Sequence, residues 1–415
     1  MRILILSQFF DPEPASIPGM PLASWLTARG HEVEVLTGFP NYPGGHFYPG
    51  QPVRLWRREQ MDDVKVNRVL LYPSHDRSPL RRVANYTSFS LSASTLGTLL
   101  VRKPDVVYVY HPPATVGLPA LLWKALGGVP FLFHVQDLWP ESVVDSGMVA
   151  DGSARRVVAR GIEWWCRRIY AQAGAIVTIS EGMKDHLKQR GVPAEKLSVI
   201  PNWAEEDTFF PMARDAGLGQ RLGTAGRFNL MFSGNLGLYQ NLDVLMHAAH
   251  LLRDTPQVQV VVVGTGQLET ELRQLNEQLQ LDNVRFIGRL PYQEMGPVTA
   301  LADALLVSLQ DRPFLSVTIP GKTQVAMACA RPIVMAVRGD AARLVESAHC
   351  GVVCPPGDAP TLAAAVRQLA SLPDEERLAM GERGRRYYEL NMSLDRGARK
   401  LETLLLDLGG RNTRS

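Results

Sequence analysis

The chain has only four cysteines in 415 residues, and no two of them form a CxxC pair. Cys166, Cys329, Cys350 and Cys354 are scattered, with no histidine cluster at zinc-finger spacing beside them. That excludes a disulfide scaffold and indicates no metal site. Free thiols in a reducing compartment are the expectation. No window supplies the roughly 20 uninterrupted apolar residues that a membrane-spanning helix needs. The best candidate, Phe89 to Val101, is short and broken by Ser, Thr and Gly. The opening MRILILS starts a strand at once and lacks the parts of a secretion signal, which predicts a cytoplasmic address. Excess charge is scarce too. A formal net charge of +3 argues against a dedicated nucleic-acid binder. Low-complexity tracts are missing, because the 29 prolines and 35 glycines are spread along the chain as turn punctuation.

What is present is a globular composition, 46% hydrophobic, in a chain long enough for two domains. In the first half, short apolar and β-branched runs (RILILS, EVEVLT, VKVNRVLLY, DVVYVY, PFLFHV, AIVTIS, LSVI) read as strands. Helical patterning separates most of them, as at Pro21 to Arg29, Leu80 to Val101, Ala154 to Ala171 and Glu181 to Arg190. The pattern breaks over Asn202 to Gly226 and restarts with NLMFS, VQVVVVG, NVRFIG, ALLVSL, PIVMAV and GVVC. Runs apolar on both faces, alternating with helices, predict parallel sheets covered on both sides. The expected fold is α/β, with two doubly wound Rossmann-like domains facing across a cleft. Such sheets take ligands at the carboxyl ends of their strands. The arginines bunch in the first half: Arg54, Arg57 and Arg58 near Trp56; Arg77, Arg81 and Arg82; and Arg155, Arg156, Arg160, Arg167 and Arg168 around Trp164 and Trp165. This suits contact with anionic lipid headgroups. A solvated helix face with inward tryptophans fits equally well.

Three features of the second half suit a nucleoside diphosphate. FSGNLG places Gly234 and Gly237 between a strand and a helix, where backbone amides approach an anion closely. VVVVGTGQLE adds Gly264 and Gly266 after a strand, but Glu269 stands where a dinucleotide fingerprint has its third glycine. TIPGK opens a helix and supplies Thr318, Pro320 and Gly321, with Lys322 projecting from a helix start where the dipole favours negative charge. Lys322 is the foremost phosphate candidate. In the first half, PFLFHVQDLWPES brings His134, Gln136, Asp137 and Glu141 to a strand's carboxyl end. His134 reads equally as a core histidine, and Asp137 as a helix cap. The loop FFDPEPASIPG offers Gly19 as a point of close backbone approach to phosphate.

In this order the motifs resemble the GT-B glycosyltransferases of family 4, and within them bacterial surface-polysaccharide transferases assigned to L-fucosamine and colanic-acid synthesis. The carrying residues are GHEVEVLT, YHPPATVGLPALL, VPFLFHVQDLWPES, VTISEGM, SVIPNW, FSGNLGLYQNLDVL, VVVGTGQLE, NVRFIGRLP, TIPGKTQVAMACARPIV and GVVCPPGD. The resemblance implies an N-terminal acceptor domain (1–203) and a C-terminal donor domain (204–392). It also implies a final helix, within 393–415, that crosses back onto the first domain. It implies a UDP- or GDP-sugar donor, retention of anomeric configuration and no cofactor or metal. A polyprenyl-diphosphate saccharide acceptor at the inner membrane face is the further implication. His134, Asp137 and Lys322 take the catalytic roles, and Gln136 and Glu141 face the acceptor. Two family glutamates read here as Val317 and Val325. The arginine and lysine that clamp the diphosphate correspond to Asn235 and Gln240, so Lys322 would replace their charge. A sugar-nucleotide epimerase and a catalytically silent partner subunit share this twin-domain plan, and the incomplete glycine fingerprint makes a hydride-transfer enzyme the weakest rival.

Overall fold

The computed structural model describes residues 1–14, 17–50, 52–75, 78–145 and 152–412. Arg77 and residues 413–415 lie outside the described residues. The chain divides into two compact units, Met1–Pro201 with Leu394–Ser415, and Asn202–Ser393.

Among the described residues, the first unit is built on eight strands: β1 (Arg2–Leu6), β2 (Glu32–Gly38), β3 (Trp56–Met61), β4 (Val64–Val69), β5 (Val106–Tyr110), β6 (Phe131–Val135), β7 (Ala175–Thr178) and β8 (Leu197–Val199). Their order is β3-β4-β2-β1-β5-β6-β7-β8. All neighbours pair in parallel except β3, which runs antiparallel to β4. The central strands are buried on both faces, which explains their unbroken apolar runs. Edge strand β3 (WRREQM) was not foreseen. Its charged side chains carry no apolar signal and suit an edge that must not pair further.

The connection from β1 to β2 runs in one direction across the sheet, and those from β4 to β5, β5 to β6 and β6 to β7 run in the other. Right-handed crossovers therefore put helices Pro79–Leu100, Gly117–Gly127 and Ser153–Gln172 together on one face. Helix Met20–Ala28 takes the opposite face, where helix Leu394–Asn412 packs beside it and over β5 and β6. That last helix is fastened by charge as well as packing. Glu402 accepts from Arg29 Nε at 2.8 Å and meets His31 Nε2 at 2.9 Å. Trp25 donates to Asp395 at 3.2 Å and carries the guanidinium groups of Arg29 and Arg399 over its ring.

The second unit, among the described residues, holds β9 (Phe228–Ser233), β10 (Val258–Val263), β11 (Val284–Gly288), β12 (Ala304–Ser308), β13 (Ile333–Ala336) and β14 (Gly351–Val353). They are ordered β11-β10-β9-β12-β13-β14 and all parallel. Residues 202–226, polar in sequence, belong to this unit and include helix Ala216–Leu222, capped by Asp215 through the Leu218 amide at 2.9 Å. In both sheets the winding direction reverses once, between β1 and β5 and between β9 and β12. Those two carboxyl-end crevices are where ligands are expected.

Candidate active site

In the second unit, the chain leaves β9 through Gly234, Asn235, Leu236 and Gly237, at the reversal point. The turn Leu238–Gln240 follows, tied to the end of β12 by Gln310, whose amide N donates to Tyr239 O at 2.8 Å and whose Nε2 donates to Leu238 O at 3.0 Å. Tyr239 packs edge-on against Phe314. This brace holds Gln240 toward helix Gly321–Ala328. Lys322, in the first turn of that helix, donates from Nζ to Gln240 Oε1 at 2.7 Å. The ammonium lies 4.8 Å from the centroid of the Phe232 ring. It also lies over Gly234, where an added Cβ would sit 3.0 Å from Lys322 Cε and 3.3 Å from Nζ.

The electrostatics of this arrangement are one-sided. The first turn of the helix contains no acidic residue. Among the described residues Lys322 pairs with no carboxylate. Burial pushes its pKa down to about 8. A half-buried ammonium at the positive end of a helix, facing an amide oxygen and, among the described residues, no carboxylate, is an arrangement that favours an anion.

The glycines act differently from expectation. The Gly234 and Leu236 amides donate to Val263 O and Thr265 O at 2.9 and 3.0 Å, so they are spent holding the two loops together. The Asn235 and Gly237 amides have no protein acceptor among the described residues, and the supposed cradle shrinks to these two. Gly264, at φ +126°, would place a Cβ 2.0 Å from Gly234 O, and Gly266 would place one 2.5 Å from Leu236 N. These two glycines allow backbone to lie on backbone; closeness to a nucleoside is not what requires them. Pro320 caps the helix and accepts the Thr323 amide at 2.8 Å, while Gly321 faces open space. Thr318 turns its hydroxyl back onto Leu315 O at 2.9 Å. Val317 and Val325 are both half-buried. Gln310, Phe232 and Tyr239 were missed in the sequence, although Gln310 lies where strand-end reasoning would look.

In the first unit, His134 is buried in β6 with both ring nitrogens engaged. The Gln136 amide donates to Nε2 at 3.0 Å, so the proton sits on Nδ1 and faces the Tyr108 oxygen at 2.8 Å. Burial holds its pKa down to about 3. It is a neutral core histidine that orients Gln136, with no nitrogen left for a substrate. Asp137 is half-buried just past the strand end, and no described residue hydrogen-bonds its carboxylate, so it caps no helix. Burial raises its pKa to about 6. Glu141 pairs with Arg190, which also donates to Trp139 O at 2.7 Å, and His186 Nε2 lies 3.4 Å away. One of its two carboxylate oxygens braces the loop in this way, while Oε2 accepts no hydrogen bond among the described residues. Gly19 caps helix Met20–Ala28 at an ordinary φ of −74°, and the Met20 amide beside it donates to Asp11 at 2.7 Å. The Met20 amide is therefore already taken by the chain's own carboxylate.

Two doubly wound sheets, parallel except for the edge strand β3, are the architecture of the GT-B class of sugar-transferring enzymes. Residues 20–203 match the glycosyl transferase 4-like domain, and residues 227–371 match glycosyl transferases group 1. The chain belongs to this glycosyltransferase family. It is 27% identical over 390 residues to WcaI of Escherichia coli K12, named for colanic acid biosynthesis, covering 91% of this chain and 94% of that protein. It is 28% identical over 279 residues to the glycosyltransferase WbjE of Pseudomonas aeruginosa, covering 66% and 68%. Among solved structures, Anabaena HepE with UDP-glucose superposes with a TM-score of 0.68 at 18% identity, covering 97% of this chain and 99% of that one.

Proposed function

We propose that this glycosyltransferase moves a sugar from a UDP- or GDP-linked donor to a polyprenyl-diphosphate-linked saccharide during surface polysaccharide synthesis, with retained anomeric configuration and without a metal ion. The name of WcaI and the UDP-glucose in the HepE structure support the polysaccharide and nucleotide-sugar parts of this reading. The observation that carries it is Lys322, an ammonium that pairs with no carboxylate among the described residues, at a helix N-terminus on the reversal point of the second sheet. The second unit binds the donor. As the sugar–phosphate bond breaks, negative charge grows on the departing diphosphate. Lys322, the first turn of its helix and the Asn235 and Gly237 amides stabilise that charge. The departing phosphate accepts the proton of the attacking hydroxyl on the same face. The first unit holds the acceptor, with Asp137 orienting its hydroxyl.

A panel of UDP- and GDP-sugars, read by thermal shift and nucleotide release, tests the proposal. A donor at about 100 times its Kd stabilises the second unit by about 2.7 kcal/mol. Release without transfer to any lipid-linked saccharide argues against the acceptor class. Full donor binding by Lys322→Ala removes the site assignment.

A further inference from the structure

The three helices on one face of the first sheet share an unusual outer surface. Helix Pro79–Leu100 contains no acidic residue, and its exposed positions recur at i, i+4: Val83, Thr87, Leu91, Thr95 and Leu99. Leu80 and Leu99, near its two ends, are 82% and 83% exposed. The two threonines add little polarity, because their hydroxyls donate back to Val83 O and Leu91 O at 2.7 and 2.9 Å. The result is an apolar stripe about 24 Å long at the 1.5 Å rise of a helix. Beside it, helix Gly117–Gly127 exposes Leu126 at 80%.

The third helix, Ser153–Gln172, packs against the second and adds charge. Its outward stripe contains Val157, Arg160, Trp164 and Arg168. Trp164 is 67% exposed, whereas its neighbour Trp165 turns inward and donates to Ala114 O at 3.0 Å. Glu163, the sole acidic residue in the three helices, is taken by Arg167 at 2.8 Å. Arg156, Arg160 and Arg168 pair with no carboxylate among the described residues.

We infer that this three-helix face is a docking surface for an anionic lipid bilayer. Leucine, valine and tryptophan side chains enter the headgroup boundary, and the unpaired guanidinium groups meet lipid phosphates. Charge complementarity selects this occupant. A second copy would bring arginine against arginine with one already neutralised glutamate between them, and a nucleic acid would leave the leucine stripe uncovered. The inference rests on the lipid-linked acceptor reading for its purpose, and on the surface alone for its physics.

The full chain is pelleted with vesicles of phosphatidylcholine, alone or mixed with phosphatidylglycerol, without donor or acceptor. Binding is expected only with phosphatidylglycerol and should weaken as salt rises. Arg156→Gln, Arg160→Gln and Arg168→Gln should each weaken it about fivefold. Leu91→Ser with Leu99→Ser should weaken it further. Leu378→Ser, an exposed leucine of the second unit, should leave it unchanged. Retention in the supernatant with anionic vesicles overturns the inference, as does equal pelleting of the arginine variants. So does a dimer that the leucine variants dissociate without a change in vesicle binding. Vesicle binding by a protein that turns over no nucleotide sugar would sink the proposed function and leave this surface standing.

Discussion

Lys322 and Gln240, 82 positions apart in the chain, meet at 2.7 Å across the reversal point of the second sheet. A glutamine oxygen is a weak partner for an ammonium, since it supplies a dipole and no net charge. The lysine is thus held in place without being neutralised. Lys322→Ala should lower kcat/KM by tenfold or more, on the order of 1.4 kcal/mol.

The same residue should cost stability. Burial lowers its pKa from 10.5 to about 8, so the unfolded chain binds the extra proton between those values and folding stability rises with pH across that window. Lys322→Met removes the buried charge. It should raise the melting temperature of the second unit at pH 7 by about 2–4 °C for each kcal/mol gained. A variant both inactive and less stable would mean that Lys322 serves packing, not an anion.

Two glycines of the site should respond oppositely to alanine. At Gly264 the added methyl meets Gly234 O at 2.0 Å and the φ is +126°, so clash and backbone strain combine. A loss of about 2–5 kcal/mol in chemical denaturation is expected. At Gly321 nothing lies within 4 Å and the residue is helical. Gly321→Ala should leave stability unchanged or gain about 0.4–1 kcal/mol. If it weakens donor binding at intact stability, the diphosphate lies against that helix start.

The fold was legible because buried parallel strands cannot hide: VQVVVV and ALLVS are apolar on both faces and need no partner to be recognised. Edge strand β3 escaped because half of its six residues are charged. The site was legible only where one residue type implied one need. A lysine opening a helix is unfavourable without an anion, and that drew attention to Lys322. Glycine implies only freedom, and sequence cannot say whether a ligand or another loop uses it. Roles set by distant partners were equally hidden. Arg190, 49 positions away, pairs with Glu141, and Tyr108, 26 away, occupies one nitrogen of His134.

The C-terminal helix should loosen in acid. Glu402 has its pKa lowered in the fold, although burial opposes this, through hydrogen bonds and charge from Arg29 and His31. A depressed carboxylate contributes stability that is fully present above its unfolded value of 4.5 and is lost as pH falls through the folded one. Glu402→Gln should lower the melting temperature of the first unit at pH 7, by an amount corresponding to about 1–3 kcal/mol. The difference from wild type should vanish in strong acid. A constant difference at every pH would assign the loss to packing.

Catalysis should show two titrations belonging to different units. In the proposed mechanism Asp137, raised to about 6 by burial, is ionised to accept a hydrogen bond from the acceptor hydroxyl. In the same proposal Lys322, lowered to about 8, is protonated to hold the leaving diphosphate. The kcat/KM profile of the free enzyme should therefore rise through pH 6, fall through pH 8 and change about tenfold per unit on each limb. The two limbs separate by mutation. Asp137→Asn should abolish the acid limb and leave the basic one. Lys322→Arg keeps its charge at every accessible pH, so it should flatten the basic limb even where activity is reduced. Survival of the acid limb in Asp137→Asn would assign it to another group, and survival of the basic limb in Lys322→Arg would detach the falling rate from the anion site.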